Sequence, residues 1–226
     1  MAGLVLNSTA FLRFNFCAKL KICASIALPS QIPETLMAIL TQNQESNTIF
    51  KMNIRKEESK DYIEVFNLIE NAFRNEEYTD HKEQFLVERL RKSESFVPEL
   101  SLVAEIDGQI VGYILLTKIK IINDNLQETE SLALAPVAVL KKYQGKGIGG
   151  KLIQKAHQKA KELHFSSIVL LGHEKYYPKF GYKMTKNYGI KLPFEVPDEN
   201  CMLIELTENA LKDVKGTVEY SKEFYE

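Results

Sequence analysis

Two amphipathic helices are predicted near the start of the part of the chain in which apolar and polar positions follow a regular pattern. Apolar residues recur at helical spacing from Ser59, a residue type that often caps helices, to about Phe73. Asp80 and Glu83 have the spacing of a capping box, which predicts the start of a second helix. The residues expected to face the core are Ile63, Phe66, Ile69, Ala72 and Phe73 in the first helix and Phe85, Leu86 and Leu90 in the second.

Strand patterns predominate in the chain after the second helix. Asp107-Gly108 is a strong turn signal between two apolar stretches and predicts a hairpin. Gly112, inside the second strand of that hairpin, predicts a bulge or a close contact. Pro136 also predicts a bulge or a sheet edge, because proline cannot donate to a sheet ladder. The predicted strands are residues 53–56, 101–106, 109–122, 130–139, 167–171 and 201–206.

Residues 1–51 differ in composition from residues 52–226, which predicts a leader followed by a single domain. The first acidic residue is Glu34, and Arg13, Lys19 and Lys21 precede it among apolar and small polar residues. This composition leaves three interpretations open: a disordered leader or translated upstream sequence, an organelle-targeting segment, and an accessory helix. No stretch of it reaches the roughly 18 apolar residues of a membrane-spanning helix.

The composition is that of a globular protein with little overall charge. Of the 226 residues, 45% are apolar and 26% are charged, and the formal net charge is −1. Such a chain has no global field that favours nucleic acid or a membrane surface, so neither is expected as a partner. Cys17, Cys23 and Cys201 have the spacing of neither a metal site nor a disulfide framework, and no metal is expected. This cysteine usage suits a reducing cytoplasm, with organelle targeting by residues 1–51 as the alternative.

A glycine-rich turn between a strand and a helix has the features of a phosphate-binding site. An apolar run over residues 132–140 is followed by two lysines, and residues 143–150 (YQGKGIGG) lead into a helix predicted to about Leu163. Glycines let the backbone approach a ligand closely, and the free amides and dipole at a helix N-terminus attract anions. The nearby positive charges are Lys141, Lys142, Lys146 and Lys151.

Three known phosphate-binding patterns can be compared with this turn. A P-loop is excluded, because Gly145-Lys146 is followed by Gly147 instead of Ser or Thr. Gly145, Gly147 and Gly150 have the spacing of a dinucleotide fingerprint, but no acidic residue ends a second strand about twenty residues further on. The sequence Gln144-x-x-Gly147-x-Gly149 instead resembles the Q/R-x-x-G-x-G/A signature of the GCN5-related N-acetyltransferases, the GNAT family.

The resemblance implies a mixed α/β fold in which two neighbouring central parallel strands splay apart between flanking helices. In that family, acetyl-CoA is the cosubstrate, and its pantetheine arm pairs with the freed main-chain groups of the first splayed strand. These groups would here belong to Val137, Ala138 and Val139. The residues that would hold the pyrophosphate are Gln144, Gly145, Lys146, Gly147, Ile148, Gly149 and Gly150.

A second family landmark comes after the strand over residues 167–171. Tyr177 and the pair Gly181-Tyr182 match its Tyr-x-x-Phe/Leu-Gly-Phe/Tyr segment, which implies that Tyr177 protonates the departing thiolate. The alternative for Tyr177 is packing against the sheet, the role expected of Tyr176, Phe180 and Tyr182. The general base is left between two candidates, His173 and Glu130. The resemblance extends over residues 52–224 and is to the YhbS-like branch of the family.

The expected activity is transfer of an acetyl group from acetyl-CoA to a primary amine of a small molecule or a protein, by direct attack in a ternary complex. The alternative is a non-catalytic acyl-CoA-binding sensor or regulatory module, which would need no proton donor at Tyr177. A more distant alternative is a nucleotide-binding α/β protein that uses Gly145, Gly147 and Gly150. A monomer or a homodimer is expected.

Overall fold

The computed structural model describes residues 52–76 and 79–226. The prediction of a leader over residues 1–51 lies outside this part of the chain.

The strands of the described residues form one nine-stranded mixed sheet. Its main path runs in the order β1-β2-β3-β4-β5-β8-β6, while β9 pairs with β3 and β7 pairs with β9. Within the described residues, only the β4–β5 and β7–β9 pairs are parallel, whereas dinucleotide-binding folds have mostly parallel sheets. The strands are β1 Met52–Lys56, β2 Phe96–Ile106, β3 Gln109–Ile122, β4 Glu128–Val139, β5 Ser167–Leu171, β6 Lys183–Met184, β7 Ile190–Lys191, β8 Cys201–Glu205 and β9 Gly216–Glu219.

Helices cover both faces of the sheet. In the described part of the chain the α-helices are α1 Tyr62–Phe73, α2 Glu83–Leu90 and α3 Ile148–Glu162. Ile114 and Leu116 of β3 share a core with α3, and the alternate residues Tyr113 and Leu115 share one with α1 and α2. Because side chains alternate across a strand, α3 lies on one face and α1 and α2 on the other. None of these helices is long and apolar enough to cross a membrane.

The first helix begins later than the sequence predicts. Ser59 lies in a 3-10 turn, which Glu58 and Asp61 cap reciprocally, and α1 starts at Tyr62. The predicted inward position of Ile63 is wrong, since 78% of this residue is exposed. The stripe that packs on the sheet is Val65, Leu68, Ile69 and Phe73.

The second helix also begins later than predicted, and its capping box is wrong. The carboxylate of Asp80 accepts a hydrogen bond from the Lys82 amide, and α2 starts only at Glu83. Glu83 accepts a hydrogen bond from the Thr79 hydroxyl and is itself buried. Phe85 is 46% exposed, contrary to prediction, while Leu86 and Leu90 are buried as expected.

Gly112 provides the close contact that the sequence predicts. A Cβ at this position would lie 2.9 Å from Leu152 Cδ1 and 3.1 Å from Ile148 Cγ2, both on α3. The register between β2 and β3 also shifts beside it, between Ala104 and Glu105. The glycine therefore lets the first turns of α3 approach the centre of the sheet.

Candidate active site

A gap opens between β4 and β5. The two parallel strands pair only at Leu132 with Ile168 and at Ala133 with Val169, although β4 runs on to Val139. Below the gap, the hydroxyls of Ser131 and Ser167 are 2.7 Å apart and both residues are fully buried. Beyond Ala133, β3 is the one described strand that still pairs with β4.

An irregularity in β4 lies at the start of this gap. The peptide bond between Ala135 and Pro136 is cis, and the pairing of β3 with β4 shifts register between Ile114 and Leu116. The bulge that Pro136 predicts from the sequence is thus present in the strand.

Main-chain groups of β4 point into the gap in an alternating pattern. The amide of Leu140 donates to Val111 O at 3.0 Å, so the main chain of Leu140 faces β3. Because hydrogen-bonded and non-bonded positions alternate in an antiparallel pair, Ala138 also faces β3, opposite Tyr113. The N–H and C=O groups of Val137 and Val139 therefore point away from β3, into the gap.

Gln144 ties the glycine turn back to this strand. Its side-chain amide donates to the carbonyl oxygen of Val139 at 3.0 Å. Gly145 and Gly147 have φ angles of 74° and 80°, a left-handed conformation that favours glycine. Gly147 is the N-cap of α3, which places the turn at the end of the gap.

The amides that open α3 have no partner within the helix. The first bond at this end runs from the Lys151 amide to Gly147 O at 3.1 Å, which leaves the amides of Ile148, Gly149 and Gly150 free of intrahelical bonds. The side chain of Ile148 is buried in the core, so only its main chain faces outward. Lys146 is exposed, with its ammonium 5.2 Å from the centre of the Tyr143 ring.

Tyr177 lies in a 3-10 turn over Tyr177–Phe180 and is only 2% exposed. Its ring makes edge contacts with Tyr176 and Tyr182, at centroid distances of 5.1 and 5.6 Å. A Cβ at Gly172, just after β5, would lie 2.2 Å from its ring, so Tyr177 can occupy this position only because residue 172 is glycine. Burial raises the pKa of Tyr177 well above the usual tyrosine value.

The neighbouring aromatic residues join this segment to α3. A Cβ at Gly149 would lie 3.0 Å from the Tyr176 hydroxyl, and one at Gly150 would lie 3.3 Å from the Phe180 ring. The hydroxyl of Tyr182 and His157 Nε2 on α3 are 2.9 Å apart. Phe180 and Tyr182 thus pack as the sequence predicts, while Tyr176 also reaches the start of the helix.

Neither of the two predicted general bases forms a hydrogen bond with Tyr177. Glu130 has a side chain that is 58% exposed and lies 3.7 Å from the Lys118 ammonium. It precedes Val137 by seven residues, roughly 20 Å along a strand. His173 comes after β5, and its Nδ1 accepts a hydrogen bond from the Lys175 amide at 3.2 Å.

An apolar cavity lies where β4 and β5 separate. The space between its walls is about 500 Å³, a volume that includes open solvent at the mouth. Arg89 of α2 fixes one wall by donating to the carbonyl oxygens of Glu223 and Glu226, at 3.1 and 2.9 Å. The residues that line the cavity are Glu83, Leu86, Ala133, Leu134, Ala135, Pro136, Leu170, Leu171, Phe194, Tyr220 and Phe224.

Glu83 is the one charged residue among the described residues of this lining, and the sequence prediction treated it only as a capping residue. It is 5% exposed, and its Oε2 has no hydrogen-bond partner among the described residues. Burial raises the pKa of Glu83, opposed by the hydrogen bond from Thr79. One sequence signal was available: Glu83 occupies the same helical stripe as Leu86, Val87 and Leu90, which face the core.

Comparison with known proteins identifies the family of this chain. Residues 62–182 match the family model described as Acetyltransferase (GNAT) family. The chain is 35% identical over 127 residues to the uncharacterized N-acetyltransferase YjhQ of Escherichia coli K12, a match that covers 55% of this chain and 70% of YjhQ. It is 29% identical over 126 residues to the uncharacterized N-acetyltransferase YhbS of the same strain, with 55% and 74% covered.

Solved structures agree with this match. The GNAT family N-acetyltransferase YhbS from Escherichia coli in complex with CoA superposes with a TM-score of 0.69 at 25% identity, covering 78% of this chain and 93% of YhbS. A GNAT family acetyltransferase from Brucella melitensis in complex with acetyl-CoA gives a TM-score of 0.64 at 32% identity, with 77% and 99% covered. The chain therefore belongs to the GNAT acetyltransferase family.

Family membership confirms the predicted fold and the predicted enzyme class, an acyltransferase with acetyl-CoA as cosubstrate. The dinucleotide-binding alternative is not supported, since the glycine turn lies in a largely antiparallel sheet. Within residues 52–76 and 79–226, no three His, Cys, Asp or Glu residues form a group able to hold a metal ion.

Proposed function

We propose that this protein transfers the acetyl group of acetyl-CoA to a primary amine by direct attack in a ternary complex. The observation that carries the proposal is the gap beyond Ala133 and Val169, which leaves the main-chain groups of Val137 and Val139 facing outward. The free amides at the start of α3 lie at the end of the same gap.

The coenzyme would bind along this gap as an additional strand. Its pantetheine amides would pair with the carbonyl oxygen of Val137 and the amide N–H of Val139, in the manner of β-strand addition. Its pyrophosphate would accept hydrogen bonds from the amides of the turn over residues 145–150, where the α3 dipole adds a favourable field. Gln144 would act indirectly, by fixing the turn to Val139, and Lys146 would add a positive charge.

The reaction requires one new bond and one broken bond. The amine nitrogen attacks the thioester carbonyl carbon, a C–N bond forms, and the C–S bond breaks. Negative charge that develops on the carbonyl oxygen would be stabilised by a main-chain amide at Val137, since preorganised donors at developing charge contribute strongly to catalysis. Tyr177 would donate its hydroxyl proton to the departing thiolate. This hydroxyl is protonated at neutral pH, as it is in any tyrosine whose pKa is at or above the usual value of about 10.

The experiment is a pair of measurements on the full chain. Calorimetric titration with acetyl-CoA should show binding, and addition of a panel of primary amines should then release free CoA thiol. Binding without thiol release for any amine would favour the sensor or regulatory module instead. Absence of acetyl-CoA binding would contradict both.

A further inference from the structure

We propose that Glu83 is the acid–base residue of the acceptor site, and that the acceptor is a primary amine on a compact apolar body. This inference rests on the proposed function and names the acceptor side of that same site. Three observations carry it: the position of the cavity, the unpartnered oxygen of Glu83, and the apolar character of the other walls.

The cavity lies at the position where the acyl group would be presented. Ala135 and Pro136, at the irregular point of β4, form part of its wall, together with Leu170 and Leu171 at the end of β5. Glu83 and Leu86 contribute the wall from α2, on the face of the sheet opposite α3. An amine held beside Glu83 would therefore approach the gap from the face of the sheet opposite α3 and its glycine turn.

Glu83 has the hydrogen-bonding capacity that an ammonium group requires. Its Oε1 is held by Thr79, while Oε2 lacks a partner within the described residues although only 5% of the residue surface is exposed. A buried carboxylate oxygen without a partner costs free energy, which a bound ammonium would offset by donating a charge-assisted hydrogen bond. Because Thr79 orients the carboxylate, little side-chain entropy is lost on binding.

Glu83 suits this role better than either residue suggested by the sequence. Glu130 is largely exposed beside Lys118, and His173 bonds its own loop. Burial raises the pKa of Glu83 above its usual value, which makes its carboxylate a stronger base. A buried position in the cavity and a raised pKa both favour Glu83 as the general base.

The protons balance over the whole reaction. An alkylammonium loses one proton to Glu83, which passes it to solvent through the cavity mouth, and the neutral amine then attacks. After the C–N bond forms, the nitrogen loses a second proton, which restores the proton that Tyr177 gives to the thiolate. The products are an amide, CoA as its thiol and one released proton.

The walls define the class of acceptor. Leu86, Phe194, Tyr220 and Phe224 present apolar and aromatic surface, and Glu83 is the one charge among the described lining residues. One carboxylate pairs with one ammonium. A polyamine would bring a second positive charge for which the described lining holds no second carboxylate, so it would gain less from this site. The fitting acceptor thus carries a single amine and an aliphatic or aromatic body.

The test uses the full chain with 2-phenylethylamine as probe and spermidine as the polycationic comparison. CoA thiol release is measured for the wild type, for Glu83→Gln and for the control Glu88→Gln, which removes an exposed carboxylate from the same helix. We expect kcat/KM for 2-phenylethylamine to exceed that for spermidine by at least about tenfold. Glu83→Gln should lower kcat/KM for 2-phenylethylamine by about 10²-fold, whereas Glu88→Gln should keep the wild-type value.

Glu83→Gln keeps the shape of the side chain and an oxygen that accepts the hydrogen bond from Thr79, so we expect the fold and the affinity for acetyl-CoA to be retained. Thermal unfolding and a measurement of acetyl-CoA affinity check this expectation. Activity of Glu83→Gln within threefold of wild type would overturn the role of Glu83 and leave the proposed function intact. Wild-type protein that binds acetyl-CoA but prefers spermidine, or that does not acetylate 2-phenylethylamine, would overturn the acceptor class. Failure to bind acetyl-CoA would overturn the proposed function itself.

Discussion

At the scale of single residues, hydrogen bonding distinguishes the two buried tyrosines Tyr177 and Tyr182. Tyr177 is enclosed by Gly172 and by two aromatic rings, and its hydroxyl makes no hydrogen bond with a described residue. The hydroxyl of Tyr182, by contrast, is engaged by His157. An unengaged, protonated hydroxyl beside the gap is available for donation, which supports the role proposed for Tyr177.

Removal of that hydroxyl should affect turnover and leave coenzyme binding unchanged. For Tyr177→Phe we expect kcat to fall by about 10²-fold, because general acid catalysis contributes on this order. The dissociation constant of acetyl-CoA should stay within twofold of wild type. Steady-state kinetics and calorimetry measure the two quantities. Tyr62→Phe, at the exposed start of α1, is the matched control, and full activity of Tyr177→Phe would return Tyr177 to a packing role.

At the scale of elements, the glycine turn and α3 form one anion-binding unit that depends on backbone conformation. Gly147 has a φ of 80°, and a Cβ added to it would have no other atom within 4 Å, so conformation alone requires glycine there. Gly108, in the turn between β2 and β3, has the same φ and equally open surroundings. The two positions differ in the element that comes next, which is α3 after Gly147 and β3 after Gly108.

This equivalence gives a controlled experiment. Gly147→Val and Gly108→Val should each lower the free energy of unfolding by about 1–2 kcal/mol, the cost of a left-handed non-glycine residue. Only Gly147→Val should abolish acetyl-CoA binding, because it alone disturbs the start of α3. Chemical denaturation and calorimetric titration provide the measurements. Equal coenzyme affinity in both variants would contradict the assignment of the phosphate site.

A second prediction at this scale concerns the contact between α3 and the aromatic segment. Burial, with a smaller effect of Lys161, lowers the pKa of His157 to about 4. Because the folded value lies below the unfolded value of about 6.5, the stability contributed by neutral His157 is present above about pH 6.5 and is lost as the pH falls toward 4.

The loss should reach up to about 3 kcal/mol, at roughly 1.36 kcal/mol per pKa unit. Unfolding measured between about pH 7 and pH 4 should therefore be steeper in wild type than in His157→Gln, which keeps a polar partner for Tyr182 but does not titrate. Parallel pH dependences of the two proteins would show that His157 is not the responsible group.

At the scale of the whole molecule, the strands were predicted better than the surfaces that join them. The bounds of β3 and β5 agree with the sequence prediction, because a turn signal or a short apolar run delimits each one. The strands β6, β7 and β9 were not predicted, since two to four residues show no periodicity. Each of them forms by pairing with an unpaired edge of another strand: β6 pairs with β8, β9 with β3, and β7 with β9.

The candidate site divides in the same way. The residues proposed for the coenzyme side come from the sequence, because residues 144–150 and Tyr177 form local motifs that a sequence displays directly. The proposal for Glu83 comes only from the structure, because its cavity partners, such as Pro136 and Phe224, are distant in the chain and meet only in the folded sheet. A local pattern could show that Glu83 was acidic and on a buried stripe, but not what it faced.

The boundary of the domain remains a prediction from the sequence. We expect a protein consisting of residues 52–226 to fold cooperatively and to bind acetyl-CoA with the affinity of the full chain, because this region contains every described strand of the sheet and every residue proposed for the site. Thermal unfolding and calorimetry test this expectation. An unfolded product would show that residues 1–51 belong to the domain.

The placement of α2 and α3 on opposite faces of the sheet has a kinetic consequence. If each reactant enters from its own face, neither has to leave before the other arrives, and either can be first. Initial rates measured against both concentrations should then give intersecting lines in double-reciprocal plots, where a covalent acetyl-enzyme would give parallel ones. The acetylated product could also leave while CoA is still bound, and the exchange of CoA for acetyl-CoA would then be the rate-limiting step of turnover.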